Sequence, residues 1–288
     1  MRFVIRQVDL EILPEGKKPL KILHFSDLHL SPRRNPVLAF MKGWVDLEPD
    51  LIISTGDHIT HEDSIPLLLQ ALTPLQGIPS FYVLGSNDYF APAFKNPLTY
   101  LLPDRGMRIH GSALPWESLD LGLKKLGWTK LHNVKMAIKL HDTSIELRGT
   151  DDAHLGLDRY ETVKGRKIST DVSIGVTHAP YLRVVSAMVV DNIDLILAGH
   201  THGGQIRIPW FGGTRSLTTN CDLPNSQSRG ITKVAEKSFM HVSAGLGTSP
   251  KAPIRFLCPA ECTVINLRSP WPTAHESNHF RKVEFLIT

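Results

Sequence analysis

The chain has 288 residues, 42% hydrophobic and 21% charged, with 32 Lys and Arg against 28 Asp and Glu for a net charge of +4. That composition belongs to an ordinary soluble protein long enough to bury a full core, and it excludes collagenous, coiled-coil and wholly disordered readings. The weak positive charge comes with basic pairs scattered at 17–18, 33–34, 124–125 and 166–167, which marks no nucleic-acid groove, and no run of 18 apolar residues spans a bilayer.

The first ten residues carry Arg2, Arg6 and Asp9 and form no apolar run, so no secretory signal is expected. In chain order, residues 21–26 (KILHFS) read as a strand, and residues 36–47 as a helix that starts at Asn35-Pro36. Residues 51–54 are a second strand, 64–72 a helix and 80–84 a third strand. After a less regular middle, 134–140 and 144–149 flank the turn His141-Asp142-Thr143 and form an antiparallel hairpin. A strand at 173–176, a helix at 181–190 and a strand at 194–198 follow, with further strands at 240–243 and 262–267. The mixture of β-α-β rhythm and hairpin predicts an α/β fold, a four-layer αββα sandwich of two mixed β-sheets flanked by helices. One domain is expected over 1–268, with a tail over 269–288 that two prolines open and for which no order is predicted. Within it, residues 280–287 (FRKVEFLI) read as a closing edge strand, with a peripheral membrane foot as the alternative. The stretches 91–105, 115–130 and 210–230 are read as loops.

Three cysteines, Cys221, Cys258 and Cys262, are too few for a disulfide framework and point to a reducing, cytoplasmic compartment. Cys258 and Cys262 lack the second thiolate pair of a structural zinc site and read as buried thiols.

The chemistry-bearing residues fall where the predicted strands end. Strand one runs into Ser26-Asp27-Leu28-His29, strand two into Gly56-Asp57, strand three into Gly85-Ser86-Asn87-Asp88, the strand at 173–176 into Thr177-His178, and the strand at 194–198 into Gly199-His200-Thr201-His202. Ligands of open α/β sheets bind outside the carboxyl ends of strands. Residues i and i+2 of an extended stretch point the same way, so Asp27 and His29 are expected to converge, as are His200 and His202. Three carboxylates (Asp27, Asp57, Asp88), four imidazoles and Asn87 are too many for one tetrahedral zinc and suit two ions sharing a carboxylate. A set without thiolate favours Mn, Fe or Zn over Ca or Cu(I). His24, inside strand one, reads as a packing residue, and His110, His132, His141 and His241 belong to no constellation.

The series Asp27-x-His29, Gly56-Asp57, Gly85-x-Asn87-Asp88, His178, Gly199-His200-x-His202 resembles the calcineurin-like metallophosphoesterase superfamily over residues 20–267. The stretch GHTHGGQ at 199–205, with Asp151-Asp152, His178-Ala179-Pro180 and Gly245-Leu246-Gly247-Thr248, is similar to a branch of bacterial phosphodiesterases associated with membrane or cell-wall metabolism. The resemblance implies a metal-dependent phosphohydrolase, phosphodiesterase or pyrophosphatase in type, with a dinuclear centre and a bridging hydroxide as nucleophile. One metal would be held by Asp27, His29 and His202, the second by Asn87, His178 and His200, with Asp57 bridging two ions ~3.5–4 Å apart. Two divalent cations are expected, manganese first, with iron or zinc as alternatives.

The family usually shows Gly-Asn-His-Asp or Gly-Asn-His-Glu after strand three, where this chain has Gly85-Ser86-Asn87-Asp88. Aligned without a gap, Ser86 takes the metal-binding Asn position and Asn87 that of the His that assists the leaving group. Shifted by one, Asn87 keeps the metal and the His is absent. A carboxamide oxygen serves a hard cation better than a hydroxyl, so Asn87 is read as the ligand. Either way the usual acid is missing, and His58, His61, Asp88 and His154 are its candidate replacements. The expected substrate therefore has a good leaving group, as in a pyrophosphate or an activated diester. Arg207, with Arg215 and Arg255, is a candidate phosphate contact. The partner implied is a small-molecule or lipid-linked phosphoester, with peripheral membrane association open and neither nucleic acid nor an obligate protein partner expected. The rivals are a nuclease on the same fold and a metal-binding scaffold whose catalysis is lost or weak because the His is missing.

His275-Glu276-Ser277-Asn278-His279 fits the H-E-x-x-H zinc-protease pattern but sits in a polar tail after Pro270 and Pro272, without the buried helix that pattern needs. Gly245-Leu246-Gly247 begins like a dinucleotide loop but meets Pro250 where the third glycine belongs, and reads as a turn near the site.

Overall fold

The computed structural model describes residues 2–33, 35–93, 110–211, 213–248, 253–270 and the backbone of 282–286. The 275–279 motif, most of the 91–105 stretch and Pro250 lie outside the described residues. The first half of the chain forms β1 (Phe3–Glu11), β2 (Leu20–Phe25), α1 (Pro36–Met41), β3 (Leu51–Ser54), α2 (Ser64–Leu72), β4 (Ser80–Tyr82), α3 (Ser86–Tyr89), α4 (Trp116–Lys125), β5 (Trp128–Lys130), β6 (Val134–Leu140) and β7 (Thr143–Gly149). The second half adds β8 (Val172–Val176), α5 (Leu182–Val190), β9 (Leu195–Ala198), β10 (Arg207–Trp210), β11 (Gly213–Ser216), β12 (Gly230–Ala235), β13 (Ser238–Val242), β14 (Ala260–Arg268) and β15 (Lys282–Leu286).

A seven-stranded sheet has the order β15-β1-β14-β2-β3-β4-β5, and a six-stranded sheet the order β12-β13-β9-β8-β7-β6. Both are mixed: β2, β3, β4 and β5 run parallel while β14 opposes β2, and β7, β8, β9 and β13 run parallel between antiparallel β6 and β12. Three apolar clusters define the layers. One packs α1, α2 and α4 on the first sheet through Met41, Leu68, Leu72, Leu119 and Leu123. A second lies between the sheets, with Ile22, Ile53 and Val83 facing Leu147, Ile174 and Leu197. A third packs α5 on the outer face of the second sheet through Val184, Val185 and Met188. This is the expected αββα sandwich. Strands β3, β8 and β9 are buried along their whole length, which is why they read as unbroken apolar runs rather than alternating ones.

Several expectations shift in detail. The helix expected over 36–47 is α-helical only to Met41 and continues as a 3-10 helix over Lys42–Leu47, ending at Glu48 with φ 46°. Its start is as read: the Asn35 side chain accepts from Val37 N at 3.0 Å and Pro36 takes the first helical position. The 115–130 stretch is not a loop but α4 and β5, and the 210–230 stretch holds β11. Helix α4 packs closely on α2 because Gly122 faces Leu69: a Cβ there would lie 2.4 Å from Leu69 Cδ1. The segment 282–286 pairs antiparallel with β1, the edge-strand reading. Cys221, Cys258 and Cys262 are all free. Among the described residues no helix is long and apolar enough to cross a membrane.

Candidate metal centre

The loops that leave β2, β3, β4, β8 and β9 at their carboxyl ends converge, and their side chains form two overlapping groups. Asp27, His29 and His202 make one; Asp27, Asp57 and His178 make the other, the ligand-type atoms of each lying within 4.8 Å of one another. The convergence does not come from extended alternation, as the i, i+2 argument supposed. Asp27, His29, Asp57, His200 and His202 have φ of 52°, 45°, 56°, 68° and 50°. Left-handed backbone at a non-glycine residue costs on the order of 1 kcal/mol or more, and its concentration here marks a site held by its surroundings. Asp27 N donates to Gly56 O at 2.8 Å and His29 N to Asp57 O at 3.0 Å, locking the β2 and β3 loops together.

Asp57 sits at the centre. Its Oδ2 is 3.5 Å from His29 Nε2 and its Oδ1 3.5 Å from His178 Nε2, so one carboxylate faces both halves of the cluster. Two pairs of imidazole nitrogens flank it: His29 Nε2 and His202 Nε2 at 3.1 Å, and His178 Nε2 and His200 Nδ1 at 3.3 Å. In the second pair one tautomer is set from outside. His178 Nδ1 lies 2.6 Å from Thr55 O, and a carbonyl can only accept, so that ring donates there and turns Nε2 toward His200. His200 Nε2 lies 3.1 Å from Asn220 O and 3.3 Å from Asn220 Nδ2, which hold the ring in place. A proton or a cation can lie between the facing His178 Nε2 and His200 Nδ1. Ligand atoms ~2.1 Å from a common cation are about 3.0–3.5 Å apart, which is the spacing found.

The electrostatics agree. Burial pushes the Asp27 carboxyl up, and neighbouring Asp57 adds to this against the pull of His178 and His29. Burial also works against charge on Asp57, but His178, His29 and two donors from Asn87 hold it well below the usual carboxylate range. Burial opposes charge on His178, yet Asp57, Asp152 and Asp27 raise it to about 9. Burial drives His202 well below the usual imidazole range, with His29 and Arg255 adding to the effect. A buried group of carboxylates that draws a proton onto a central imidazole is a group short of positive charge. Asp27 Oδ1 and His29 Nδ1 are buried without a hydrogen-bond partner, and the all-oxygen-and-nitrogen donor set fits a pair of Mn, Fe or Zn ions.

Asn87 meets the cluster as a donor. Its backbone N donates to Asp57 Oδ1 at 2.8 Å and its side-chain Nδ2 to Asp57 Oδ2 at 2.7 Å. Asp88 is spent elsewhere. It is fully buried, caps α3 by accepting from Gly85 N, and accepts from His58 N at 2.7 Å. His58 is spent with it, Nδ1 at 2.9 Å from Asp88 Oδ2 and Nε2 at 2.7 Å from Ser54 Oγ. His61 is half-exposed beside Asp63. His154 is different: it is buried, with its ring centroid 4.6 Å from that of His200 and Nδ1 3.0 Å from the Tyr181 hydroxyl.

The arginines read as phosphate contacts are used by the fold. Arg207 is buried and donates to Gly203 O, Ser228 Oγ, Thr214 Oγ1 and Thr214 O, a correction to its expected role. Arg255 Nη2 donates to Ala244 O and Gly247 O and lies 3.4 Å from His202 Nδ1, so it positions that ring. Arg215 lies over Trp210, 5.1 Å from the ring centroid. The sequence reading gave no role to three residues that the structure brings to the site: Thr55 and Asn220, whose carbonyls orient ligand imidazoles, and Asp152, fully buried, with Oδ2 unpartnered and raised by burial to about 7. A backbone carbonyl carries no sequence signature, so the first two were not findable; Asp152 was visible only as half of Asp151-Asp152.

Gly56 makes the β3 loop possible. It has φ 92°, and a Cβ on it would lie 2.6 Å from Gly85 N and 2.8 Å from Leu84 C, both backbone. Gly56→Ala is expected to destabilise by about 2–3 kcal/mol, from left-handed strain plus a clash that no rotamer relieves. Denaturant unfolding of the metal-free protein checks this, and an unchanged midpoint would contradict the packing described.

Comparison with known proteins agrees with this geometry. The chain is 28% identical over 272 residues to the uncharacterized metallophosphoesterase YkuE of Bacillus subtilis, covering 90% of this chain and 82% of that one. An uncharacterized metallophosphoesterase of Aquifex aeolicus is 27% identical over 91% of this chain and 89% of its own. Phosphodiesterase YaeI of Escherichia coli is 26% identical over 90% of this chain and 86% of its own. The calcineurin-like phosphoesterase pattern matches residues 20–204, and the chain belongs to that family.

Proposed function

We propose that the protein hydrolyses a phosphodiester or pyrophosphate with two divalent cations, manganese first among them. The observation that carries this reading is the pair of imidazole couples facing one another across Asp57. One cation is assigned to Asp27, His29 and His202, the other to His178 and His200 with Asn87, and Asp57 to both. Cations bound there supply Lewis acidity, lowering the pKa of water and neutralising charge on the phosphoryl oxygens. The chain's part is to hold the ligand rings in place: Thr55 sets the His178 tautomer, Asn220 holds His200, Arg255 sets a third ring, and Asn87 fixes the rotation of Asp57. The similarity to a protein named a phosphodiesterase supports the diester half of the reading, and the 199–205 stretch supports the membrane or cell-wall branch.

His154 is assigned the proton that the leaving group needs. Of the four replacements weighed for the missing histidine, His58 and Asp88 hold each other and His61 is bound up with Asp63, while His154 lies against a ligand ring. His154→Gln is expected to lower kcat about 10²-fold on an alkyl phosphodiester and far less on a p-nitrophenyl diester, whose leaving group needs no proton. Equal losses on both substrates would make His154 a packing residue.

Metal analysis with turnover of an aryl phosphodiester in added Mn²⁺ tests the whole reading. Two metals per chain with turnover support it. Two metals without turnover on any phosphoester would make the protein a metal-bearing scaffold.

A further inference from the structure

Eight of the fifteen exposed large apolar side chains among the described residues lie in two short segments, 206–217 and 254–257. They include Trp210 at 51%, Phe211 at 97%, Ile254 at 64% and Phe256 at 55% exposure, and no other Trp or Phe is among the fifteen. The first segment is the hairpin β10–β11, whose register pairs Arg207 with Ser216 and Trp210 with Gly213, so Trp210 and Phe211 stand at its tip. The second runs beside it: Ile206 bridges Phe256, Arg207 N donates to Phe256 O and Phe256 N to Gln205 O, each at 3.0 Å.

We propose that this two-segment projection inserts into the interface of an anionic lipid bilayer and holds the metal cluster at the membrane surface. Aromatic and aliphatic side chains at a tip are what an interface accepts, Trp above all. The backbone of the hairpin is partly satisfied: β10 pairs with β11 along one edge, Phe256 covers the other edge at its base, and Pro209 has no N–H to satisfy. The charge is complementary: residues 203–217 and 253–258 contain three arginines and no Asp or Glu, and exposed Arg215 sits beside Trp210. Among the described residues of the two segments Arg215 is the one exposed cation, too few for a nucleic-acid track.

The projection is also tied to the site. Arg207 donates to Gly203 O, Arg255 lies on His202, and three residues separate His202 from Ile206. A membrane-seated projection therefore presents the His202 loop to phosphoesters at the headgroup level. That assigns the substrate to the amphiphiles, a step that rests on the hydrolase reading; the docking itself does not.

The test is sedimentation of the full metal-loaded chain with vesicles of phosphatidylcholine alone or with about one third phosphatidylglycerol. Binding is expected to the anionic vesicles, with tryptophan fluorescence quenched when the acyl chains are brominated. The double variant Trp210→Ser, Phe211→Ser is expected to bind at least tenfold more weakly with an unchanged unfolding midpoint, and Arg215→Ala to lose the preference for phosphatidylglycerol. Failure of the wild type to bind either vesicle, or equal binding by the double variant, overturns the proposal. So does a concentration-dependent dimer that the double variant abolishes, since the face would then belong to a second copy. Binding is read without turnover, so its failure leaves the hydrolase reading standing, and loss of turnover in a vesicle-binding protein would do the reverse.

Discussion

Asp57→Asn is expected to lower kcat/KM on an aryl phosphodiester by about 10³-fold or more, because the several kcal/mol that bound metal ions contribute in the transition state is lost when their shared ligand is. The variant keeps the size of the side chain but not its chemistry. Asp57 offers two equivalent anionic oxygens, Oδ2 toward His29 and Oδ1 toward His178. An amide offers one neutral oxygen and an NH2 group, which would turn donors toward His178 or His29 and toward Asn87, itself a donor at both contacts. Metal per chain should therefore fall together with activity, from two toward one or none. A variant that kept two metals and most of its turnover would remove Asp57 from the centre of the site.

The metal-free protein is expected to lose stability between pH 6.5 and 4, because the buried histidines lowered on folding, His24, His132, His202 and His241, outnumber the raised carboxyls of Asp27 and Asp152, which act with the opposite sign. His241 is fully buried, and burial lowers it to about 4. His24, whose Nδ1 lies 2.8 Å from His241 Nδ1, is lowered further by burial and by that neighbour. His132 accepts from Leu84 N at 2.9 Å, and burial lowers it to about 4. A histidine whose pKa is depressed on folding takes up its proton first in the unfolded chain. Below the unfolded value of ~6.5 the unfolded state binds more protons, so stability falls as pH falls, by about 1.4 kcal/mol per unit per residue until the folded value is reached. Across that window His241 and His132 each account for about 3 kcal/mol. Urea unfolding at pH 7, 5.5 and 4.5 should show the slope. His132→Gln, which keeps an acceptor for Leu84 N, should flatten it by one proton. A stability that stays level down to pH 4.5 would mean that these rings reach water.

The residues that meet in the cluster were legible because of where they stand. A buried parallel strand reads as an apolar run, its end is abrupt, and Asp27, Asp57, His178 and His200 follow such ends within a few positions. What the sequence hid was of two kinds. Strand β1 alternates Arg6 and Asp9 with Val4, Ile5 and Val8, and its partner is the far end of the chain, so no local pattern announces it. The fate of His58 was hidden for the same reason: beside Asp57 in sequence, it is claimed by Asp88, thirty residues on. Arg207 misled because a guanidinium near a metal loop serves a phosphate and a backbone carbonyl equally well, and only the fold reveals which is in reach.

The position of β1 bears on how the molecule is made. Phe3 pairs with Ala260, and β1 is flanked on both sides by β14 and β15, strands that emerge from the ribosome some 257 residues later. Until then both its edges are open, with Val4, Ile5 and Val8 awaiting cover, the condition under which nascent strands pair with the wrong neighbour. The seven-stranded sheet, and with it the floor beneath Asp27, is thus completed only late in translation, and a chaperone that shields the nascent amino-terminal segment would raise the yield of native protein more than one acting on the finished chain.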